Sequence, residues 1–277
     1  MEPLVSVVVP TSPAHNCQTY IGACLEALAR QTFPRQRMDV VVVVDDKRGP
    51  RFNTTTTDFR VLAPRRRIGS PAVYLHGLAA AKGALVAFTD ADCVPHPTWL
   101  EMLVQGLGGD RVAGCGGRIV EQSDGREHDN RLYDDRYILP CIGFANVVYR
   151  RSALDEVDLL DPNLCFAAEE FDLCWRLHLK GYRIAYTPLA QVEHRTHRPA
   201  RKFLSYGVAL RYLVRKYGHL FDISLRSEFR QMITFNRRLR GRNQTTPLLH
   251  KLRPLAAVAG YAWARAAEVV GLAPAIE

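Results

Sequence analysis

The chain has 277 residues, of which 47% are hydrophobic and 23% are charged, and its formal net charge is +9. This composition is sufficient for a packed core, and it excludes an intrinsically disordered, collagen-like or coiled-coil chain. No uninterrupted apolar run exceeds five residues, whereas a helix that spans a bilayer needs about 20, so no transmembrane helix is predicted.

The first half of the chain predicts strands that alternate with helices. Valine-rich runs bounded by turn residues are typical of buried strands, and helical spacing of apolar residues marks the segments between them. The predicted strands are Leu4–Val9, Val40–Val44, a short strand near Phe59–Leu62, and Leu85–Thr89. The predicted helices are Cys17–Arg30, Ala72–Lys82, which Gly83 ends, and Pro97–Leu107. Strand–helix–strand units of this kind form parallel sheets through right-handed crossovers.

The second half of the chain adds further strands and then becomes helical. Its predicted strands are Val112–Val120, Gly143–Tyr149 and residues 182–193. The polar segment Glu121–Arg136 has little apolar periodicity, and we interpret it as a surface or acceptor-side segment. Its predicted helices are Glu169–Lys180, which has acidic residues at its start, followed by Arg198–Tyr217, Leu225–Arg240 and Leu248–Val270.

Basic charge is concentrated towards the C-terminal end of the chain. Residues 195–253 contain fifteen Lys and Arg against two acidic residues, a net charge of +13, whereas residues 1–194 carry a net charge of −3. We therefore predict a main domain at 1–197 and a basic helical C-terminal extension at 198–277. The basic residues of 198–253 suit either an anionic membrane surface or a solvated helical face packed on the main domain.

Acidic residues follow two of the predicted buried strands. Asp45 and Asp46 end the second valine-rich strand, and Asp90 and Asp92 follow the Leu85–Thr89 strand as a D-x-D sequence. In an open parallel sheet, ligands bind at the carboxyl ends of the strands. Carboxylates gathered in one cleft need a cation, and their oxygens suit Mg²⁺ or Mn²⁺. The alternative is that each acidic pair merely begins a turn, where Asp is common.

Two further groups of polar residues are candidates for the same site. Glu169, Glu170 and Asp172 lie at the start of a predicted helix, where carboxylates also complement the helix dipole and can serve as helix caps. His194 follows a strand-like run and precedes the basic sequence of the extension. A histidine in such a position is either a ligand or a hydrogen-bonded surface residue.

Taken in order, these motifs resemble the inverting family 2 glycosyltransferases, which have a GT-A fold. The resemblance covers residues 5–194 and rests on VSVVVPT, VVVVVDD, GSPAVYLHGLAAAKGALVAFTDADC, GFANVVYRRSAL, AAEEFDLCWRLHLKGYRIAYTP and VEH. It implies an α/β fold, with a Rossmann-like domain that binds a nucleoside diphosphate sugar on a mostly parallel sheet. It also implies transfer of the sugar to an acceptor hydroxyl by a single displacement assisted by a divalent metal, Mn²⁺ or Mg²⁺.

The resemblance assigns residues to the donor side of the site. Pro10 and Thr11 match the loop that lines the nucleotide, Asp46 matches the acid that hydrogen-bonds the base, and Asp90 faces the ribose or sugar. Tyr74 is placed in the same nucleotide-sugar group. UDP is the expected carrier, with GDP and dTDP as alternatives.

The resemblance also assigns the metal and the acceptor side. Asp92 would hold the metal on the diphosphate, together with His194. Glu170 matches the general base that deprotonates the acceptor hydroxyl. Glu169 and Asp172 would either touch the acceptor or position the helix that carries the base.

Two departures from the family pattern bear on these roles. An Arg-Asn pair is common in the family where this chain has Tyr74 and Leu75, so a donor to the nucleotide is missing, and Arg65–Arg67 is a candidate to replace it. Glu170 stands where the family has Asp, and the extra methylene moves the base by about 1 Å.

Other features of the sequence define the expected setting and two alternative functions. The cysteines are scattered without C-x-x-C spacing, which predicts reduced thiols. No signal-peptide pattern is seen, so we predict a cytoplasmic protein. It would be peripheral at the inner face of the membrane if the extension binds lipid. The excess of Arg over Lys hints at a bacterial source. A lipid-linked acceptor and a homo-oligomer are compatible with the chain, and no nucleic-acid partner is expected. The alternatives are a nucleotidyltransferase that makes a nucleotide sugar and a non-catalytic nucleic-acid or membrane-binding module.

Overall fold

The structure, a computed structural model, describes residues 4–11, 17–46, 49, 52–65, 68–69, 71–121, 127–129, 142–164, 168–195, 202–217, 259, 262 and 263. Its strands are β1 (Val5–Thr11), β2 (Met38–Val44), β3 (Arg60–Leu62), β4 (Leu85–Phe88), β5 (Cys93–Pro95), β6 (Val112–Glu121), β7 (Glu127–Asp129), β8 (Val147–Arg150) and β9 (Arg183–His194). Its helices are α1 (Cys17–Ala29), α2 (Ala72–Ala80), α3 (Trp99–Gln105), α4 (Arg151–Glu156), α5 (Glu169–Leu179) and α6 (Lys202–Tyr217).

The strands of the described chain form one mixed sheet in the order β3-β2-β1-β4-β8-β6-β9-β5, with β7 paired to β6. Parallel ladders join β3, β2, β1 and β4, and a further parallel ladder joins β6 to β9. The ladders of β8 with β4 and β6, of β5 with β9, and of β7 with β6 are antiparallel. The predicted α/β class is confirmed, and the strands of its first half are parallel.

Helix α1 carries the chain from β1 to β2 on one side of β1, and α2 carries it from β3 to β4 on the other side, so β1 lies between β2 and β4. Val7 of β1 lies beside Val40 of β2 and Ala87 of β4, so the three strands run in register. Their carboxyl ends therefore meet at one edge, at the point where the strand order reverses.

Helices cover both faces of the sheet, because successive strand side chains point to opposite sides. Val7 and Val9 belong to the core under α1 and α3, which Leu25 and Leu103 help to fill. The intervening Val8 belongs to the core on the other face, with residues from α2, α4 and α5. A strand buried on both faces needs continuous apolar sequence, which explains the valine runs.

Several elements differ from the sequence-based expectations. Strands β5 and β7 and helix α4 were not predicted, and β7 falls within the polar segment that we interpreted as a surface segment. Helix α2 ends at Ala80, because Ala81 has an extended backbone with ψ of 131°. Gly83 instead allows a close approach, since a Cβ there would lie 2.5 Å from the backbone nitrogen of Ser6.

The chain divides into two compact units. The first consists of residues 1–162 and 169–196 and holds the sheet, and the second consists of residues 163–168 and 197–277. In the second unit the helix predicted from Arg198 is observed as α6, from Lys202 to Tyr217. The predicted helix Leu225–Arg240 lies outside the described residues, and so does Leu248–Val270 apart from residues 259, 262 and 263. No helix in the described part of the chain is both long and apolar enough to cross a membrane.

Candidate active site

The candidate site begins at the carboxyl ends of β1 and β2. Thr11, the last residue of β1, is buried, and its backbone oxygen accepts a hydrogen bond from the N–H of Asp45 at 2.8 Å. Among the described residues, the buried hydroxyl of Thr11 has no hydrogen-bond partner. Pro10, which precedes it, is half-buried. Such an orphaned polar atom at a strand end fits a site in which a ligand completes the hydrogen bonding.

The two acids that follow β2 are in different surroundings. The carboxylate of Asp45 accepts hydrogen bonds from the backbone N–H groups of Ile68, at 2.7 Å, and Gly69, at 3.1 Å. Asp45 thereby fixes the segment that leads into α2. Asp46 is buried beside it, with 5% of its surface exposed, at the position that the resemblance gives to the base-binding acid.

Four side chains that can bind a metal lie together at the end of β4. The potential ligand atoms of Asp90, Asp92, Cys93 and His194 all lie within 4.8 Å of one another. The Nε2 atom of His194 is 3.5 Å from Oδ2 of Asp92. This grouping arises because β5 pairs with β9 in the register Cys93↔His194. The pairing brings His194 next to the D-x-D sequence, although about one hundred residues separate them in the chain. Asp90, Asp92 and His194 supply oxygen and imidazole ligands that fit Mn²⁺ or a related divalent ion.

Cys93 is the member of this cluster that sequence reasoning missed. Burial, followed by the negative charges of Asp90 and Asp92, raises the pKa of its thiol well above the ordinary value. The signal available in the sequence was its position directly after the D-x-D, at the first residue of a strand. That signal is weak, because the short strand β5 was itself not predicted.

Tyr74 projects from the first turn of α2 towards the D-x-D sequence. Its hydroxyl donates a hydrogen bond to Oδ1 of Asp90 at 3.3 Å. Burial and the negative charges of Asp90, Glu169 and Glu170 raise the pKa of Tyr74 well above its ordinary value, so the hydroxyl remains protonated. Glu169 and Glu170, the first two residues of α5, are therefore within electrostatic range of the Tyr74 hydroxyl.

The three acids of α5 are held differently. Glu169 is buried and Glu170 is half-buried at the first two positions of the helix. Asp172 is fully buried, and its Oδ2 accepts a hydrogen bond from Nε of Arg176 at 2.8 Å. Arg176 also donates to the backbone oxygens of Val157 and Leu159, which follow α4. The Asp172–Arg176 pair therefore anchors α5 on the segment after α4.

The sequence also matches the model of a known protein family. The model of the family described as "Glycosyl transferase family 2" matches residues 6–158, which is more than half of the chain. The chain belongs to glycosyl transferase family 2. The resemblance seen in the motifs is thereby confirmed.

Two relatives show how far the similarity of this family 2 member extends. The chain is 32% identical over 123 residues to glycosyltransferase AglE of Haloferax volcanii, covering 42% of this chain and 40% of the relative. It is 30% identical over 207 residues to the pre-mycofactocin glycosyltransferase of Mycobacterium tuberculosis, covering 67% of this chain and 44% of the relative. The chain thus spans less than half the length of both relatives.

Solved structures support the fold. The mannosyltransferase PcManGT of Pyrobaculum calidifontis, in complex with GDP-Man and Mn²⁺, superposes with a TM-score of 0.57 at 18% identity, covering 100% of this chain and 77% of that chain. S. aureus TarS 1-349, in complex with UDP-GlcNAc, gives a TM-score of 0.53 at 17% identity, covering 96% and 92%. This family 2 chain therefore has the GT-A fold that its motifs predicted.

Proposed function

We propose that this family 2 chain is a metal-dependent inverting glycosyltransferase that moves a sugar from a nucleoside diphosphate sugar to an acceptor hydroxyl. The observation that carries the proposal is the convergence of Asp90, Asp92 and His194 at the carboxyl edge of the sheet. Besides burial, the negative charges of Glu169 and Glu170, at the start of α5, raise the pKa of Tyr74, whose hydroxyl contacts Asp90. Family membership supports this reading, as do the nucleotide sugars named in the two similar structures.

Each residue of the donor side has a role that its position supports. Asp92 and His194 would hold a divalent cation, which when bound supplies positive charge to the leaving diphosphate. Asp46, buried after β2, would accept a hydrogen bond from the base, and the Thr11 hydroxyl gains a partner when the nucleotide binds. The carrier is proposed to be UDP, with GDP and dTDP as alternatives.

Glu170 is proposed as the general base on the acceptor side. It is half-buried at the second residue of α5, so its carboxylate can accept a proton from a hydroxyl that approaches from solvent. The acceptor oxygen then attacks the anomeric carbon as the diphosphate leaves, in one displacement that inverts the configuration. Asp172 acts on the position of the helix rather than on the acceptor, because it is fully buried and bound to Arg176. Glu169, which precedes the proposed base, either contacts the acceptor or helps to position the helix.

The first experiment compares ligand-induced thermal shifts for a panel of nucleoside diphosphates with Mn²⁺, Mg²⁺ or a chelator. A ligand that binds the native state alone raises the melting temperature according to its affinity. We expect a metal-dependent shift with one diphosphate, loss of that shift in Asp92→Asn, and retention in the matched exposed variant Asp110→Asn. Metal-independent binding in the wild type, or an unchanged shift in Asp92→Asn, would contradict the proposed metal site.

A second experiment separates chemistry from binding. Glu170→Gln keeps the size of the side chain but removes the base, so it should retain the diphosphate shift and lose transfer from the matching nucleotide sugar by at least about 10²-fold. Product stereochemistry, followed by NMR at the anomeric proton, should show inversion. Retention of configuration, or release of pyrophosphate from a nucleoside triphosphate in place of sugar transfer, would refute the assigned reaction.

The setting of the enzyme is a separate proposal. We assign the catalytic domain to 1–197 and propose that the basic extension 198–277 holds the protein at the cytoplasmic face of an anionic membrane, near a lipid-linked acceptor. The net charge of +13 over residues 195–253 supports this assignment. Sedimentation with anionic vesicles that weakens as salt rises tests it. Size-exclusion chromatography with light scattering tests whether the chain also forms a homo-oligomer.

A further inference from the structure

Tyr74 is held rigidly beside the D-x-D sequence. Its ring packs at 4.8 Å from the ring of Phe144 and at 5.6 Å, edge to face, from that of Phe88, measured between centroids. Phe88 and Phe144 are themselves buried and lie 4.9 Å apart. Phe88 is the last residue of β4 and lies two positions before Asp90. The same aromatic cluster therefore fixes the tyrosine ring and the strand from which Asp90 emerges.

The backbone of Asp90 is fixed by its turn, because its carbonyl accepts a hydrogen bond from the N–H of Cys93 at 3.0 Å. Its side chain is half-buried. The hydroxyl of Tyr74 donates a hydrogen bond to one of its carboxylate oxygens, Oδ1, at 3.3 Å and so favours one orientation of the carboxylate. A carboxylate held by an outer hydrogen bond is a better ligand than a free one.

The hydroxyl is also a donor without charge. A lysine or arginine in its place would neutralise Asp90 and reduce the attraction of the site for a cation. Tyr74 orients the carboxylate and leaves its full negative charge within 4.8 Å of the ligand atoms of Asp92 and His194. Because the Coulomb energy falls only slowly over such distances, that charge contributes to cation binding whether or not Asp90 is a direct ligand.

We propose that Tyr74 is a positioning residue that holds the carboxylate of Asp90 in the orientation in which it supports binding of a divalent cation. The inference rests on the proposed function and deepens it, because it names the residue that prepares the metal site.

The test measures Mn²⁺ binding directly, by water-proton relaxation, with Mn²⁺ alone and with uridine diphosphate added. Tyr74→Phe keeps the ring in the aromatic cluster and removes the hydroxyl, so we expect binding about tenfold weaker with an unchanged melting temperature. The matched control is Tyr149→Phe. Tyr149 belongs to the same cluster, with its ring 6.3 Å from that of Phe88, but its hydroxyl contacts Sγ of Cys174.

A double-mutant cycle with Asp90→Asn shows whether Tyr74 acts through Asp90. If it does, the double variant Asp90→Asn/Tyr74→Phe binds Mn²⁺ within about twofold of Asp90→Asn alone, because the partner of the hydroxyl is already altered. Independent losses that multiply in the double variant would overturn the inference. Equal weakening in Tyr74→Phe and Tyr149→Phe would do the same, since it would indicate a general packing effect.

The outcomes separate this inference from the proposed function. Unchanged Mn²⁺ affinity in Tyr74→Phe, with normal binding by the wild type, overturns the role of Tyr74 and leaves the glycosyltransferase proposal intact. Absence of Mn²⁺ binding by the wild type, both alone and with uridine diphosphate, overturns the metal-dependent function and this inference together.

Discussion

Replacing Arg176 with methionine tests how α5, the helix that carries Glu170, is held in place. The guanidinium group of Arg176 donates to Oδ2 of Asp172 and to the backbone oxygens of Val157 and Leu159. The side chain of Asp172 is 0% exposed, whereas that of Arg176 is 18% exposed. Methionine keeps most of the apolar length of the side chain but makes none of these hydrogen bonds.

The expected loss follows from the burial of the pair. Removing one partner of a buried ion pair typically costs about 3–5 kcal/mol, because the other charge stays in a poorly solvated site. For a domain of about 150–250 residues, each kcal/mol lowers the melting temperature by about 2–4 °C. Arg176→Met should therefore lower the melting temperature by about 6–20 °C. The double variant Asp172→Asn/Arg176→Met should recover part of this loss, because it also removes the buried charge.

Thermal and urea denaturation followed by circular dichroism provide the measurement, with Arg30→Met as the control. Arg30, which directly follows α1, pairs with Glu26 of that helix at the same i,i+4 spacing, but the two side chains are 66% and 37% exposed and 3.9 Å apart. An exposed pair contributes about 0–1 kcal/mol, so this control should change stability little. A loss below about 1 kcal/mol in Arg176→Met, or equal losses at both sites, would refute the reasoning.

Two further variants test the sheet on which the site is built. Burial tends to raise the pKa of Asp39, but hydrogen bonds from Arg60 and Ser6 outweigh burial and lower it. The ionised carboxylate therefore contributes fully to the free energy of unfolding at neutral pH, and this contribution is lost as the pH falls through the lowered pKa. Asp39→Asn should be less stable than the wild type at pH 7 and equal to it in strong acid, as measured by urea denaturation across pH. Gly117→Ala should destabilise the protein by about 1–3 kcal/mol, because the new methyl group would overlap the backbone oxygen of Ala190. If this variant is as stable as the wild type in the same denaturation experiment, β6 and β9 can separate at this point without a loss of stability.

Most of the parallel half of the sheet could be predicted from local sequence patterns. The valines of β1 and β2 are continuous because both faces of these strands are buried, and this pattern is distinctive in a sequence. The end of each strand is marked by a change from valine to proline or aspartate. Asp46, Asp90 and Asp92 could therefore be assigned to one edge of the sheet from sequence, and the structure brings Asp90 and Asp92 together.

The remaining elements are short, and tertiary pairing determines them. Strand β5 has three residues, Cys93–Pro95, with a single valine at its centre. It forms because β9 offers an unpaired edge. Strand β7 is polar and exists as a partner of β6. Neither has a hydrophobic period long enough to detect. The presence of Cys93 in the candidate metal site, which depends on β5, was missed for the same reason.

The divided roles of the acidic pairs could not be read from sequence either. Asp45 and Asp46 are adjacent and chemically equal, yet Asp45 is bound to the backbone N–H groups of Ile68 and Gly69. That partner segment lies more than twenty residues away and contains no pattern that points back to Asp45. Similarly, the i,i+4 spacing of Asp172 and Arg176 in a predicted helix is compatible with an ion pair, but nothing in the local sequence indicates that Arg176 also binds the segment after α4.

The candidate metal site depends on the register of β9, and Gly117 is important for that register. Strand β9 pairs in parallel with β6, in register from Gly114 to Gly117, and again from Arg118 to Glu121 after an irregularity that skips residues 188–190. The missing side chain at Gly117 leaves room there for the backbone of Ala190. Beyond the irregularity, His194 lies opposite Cys93. A shift by one residue would turn the imidazole to the other face of the sheet. We infer that the close approach of the two strands at Gly117, more than ten ångströms of strand away at about 3.3 Å per residue, helps to place His194 beside Asp92.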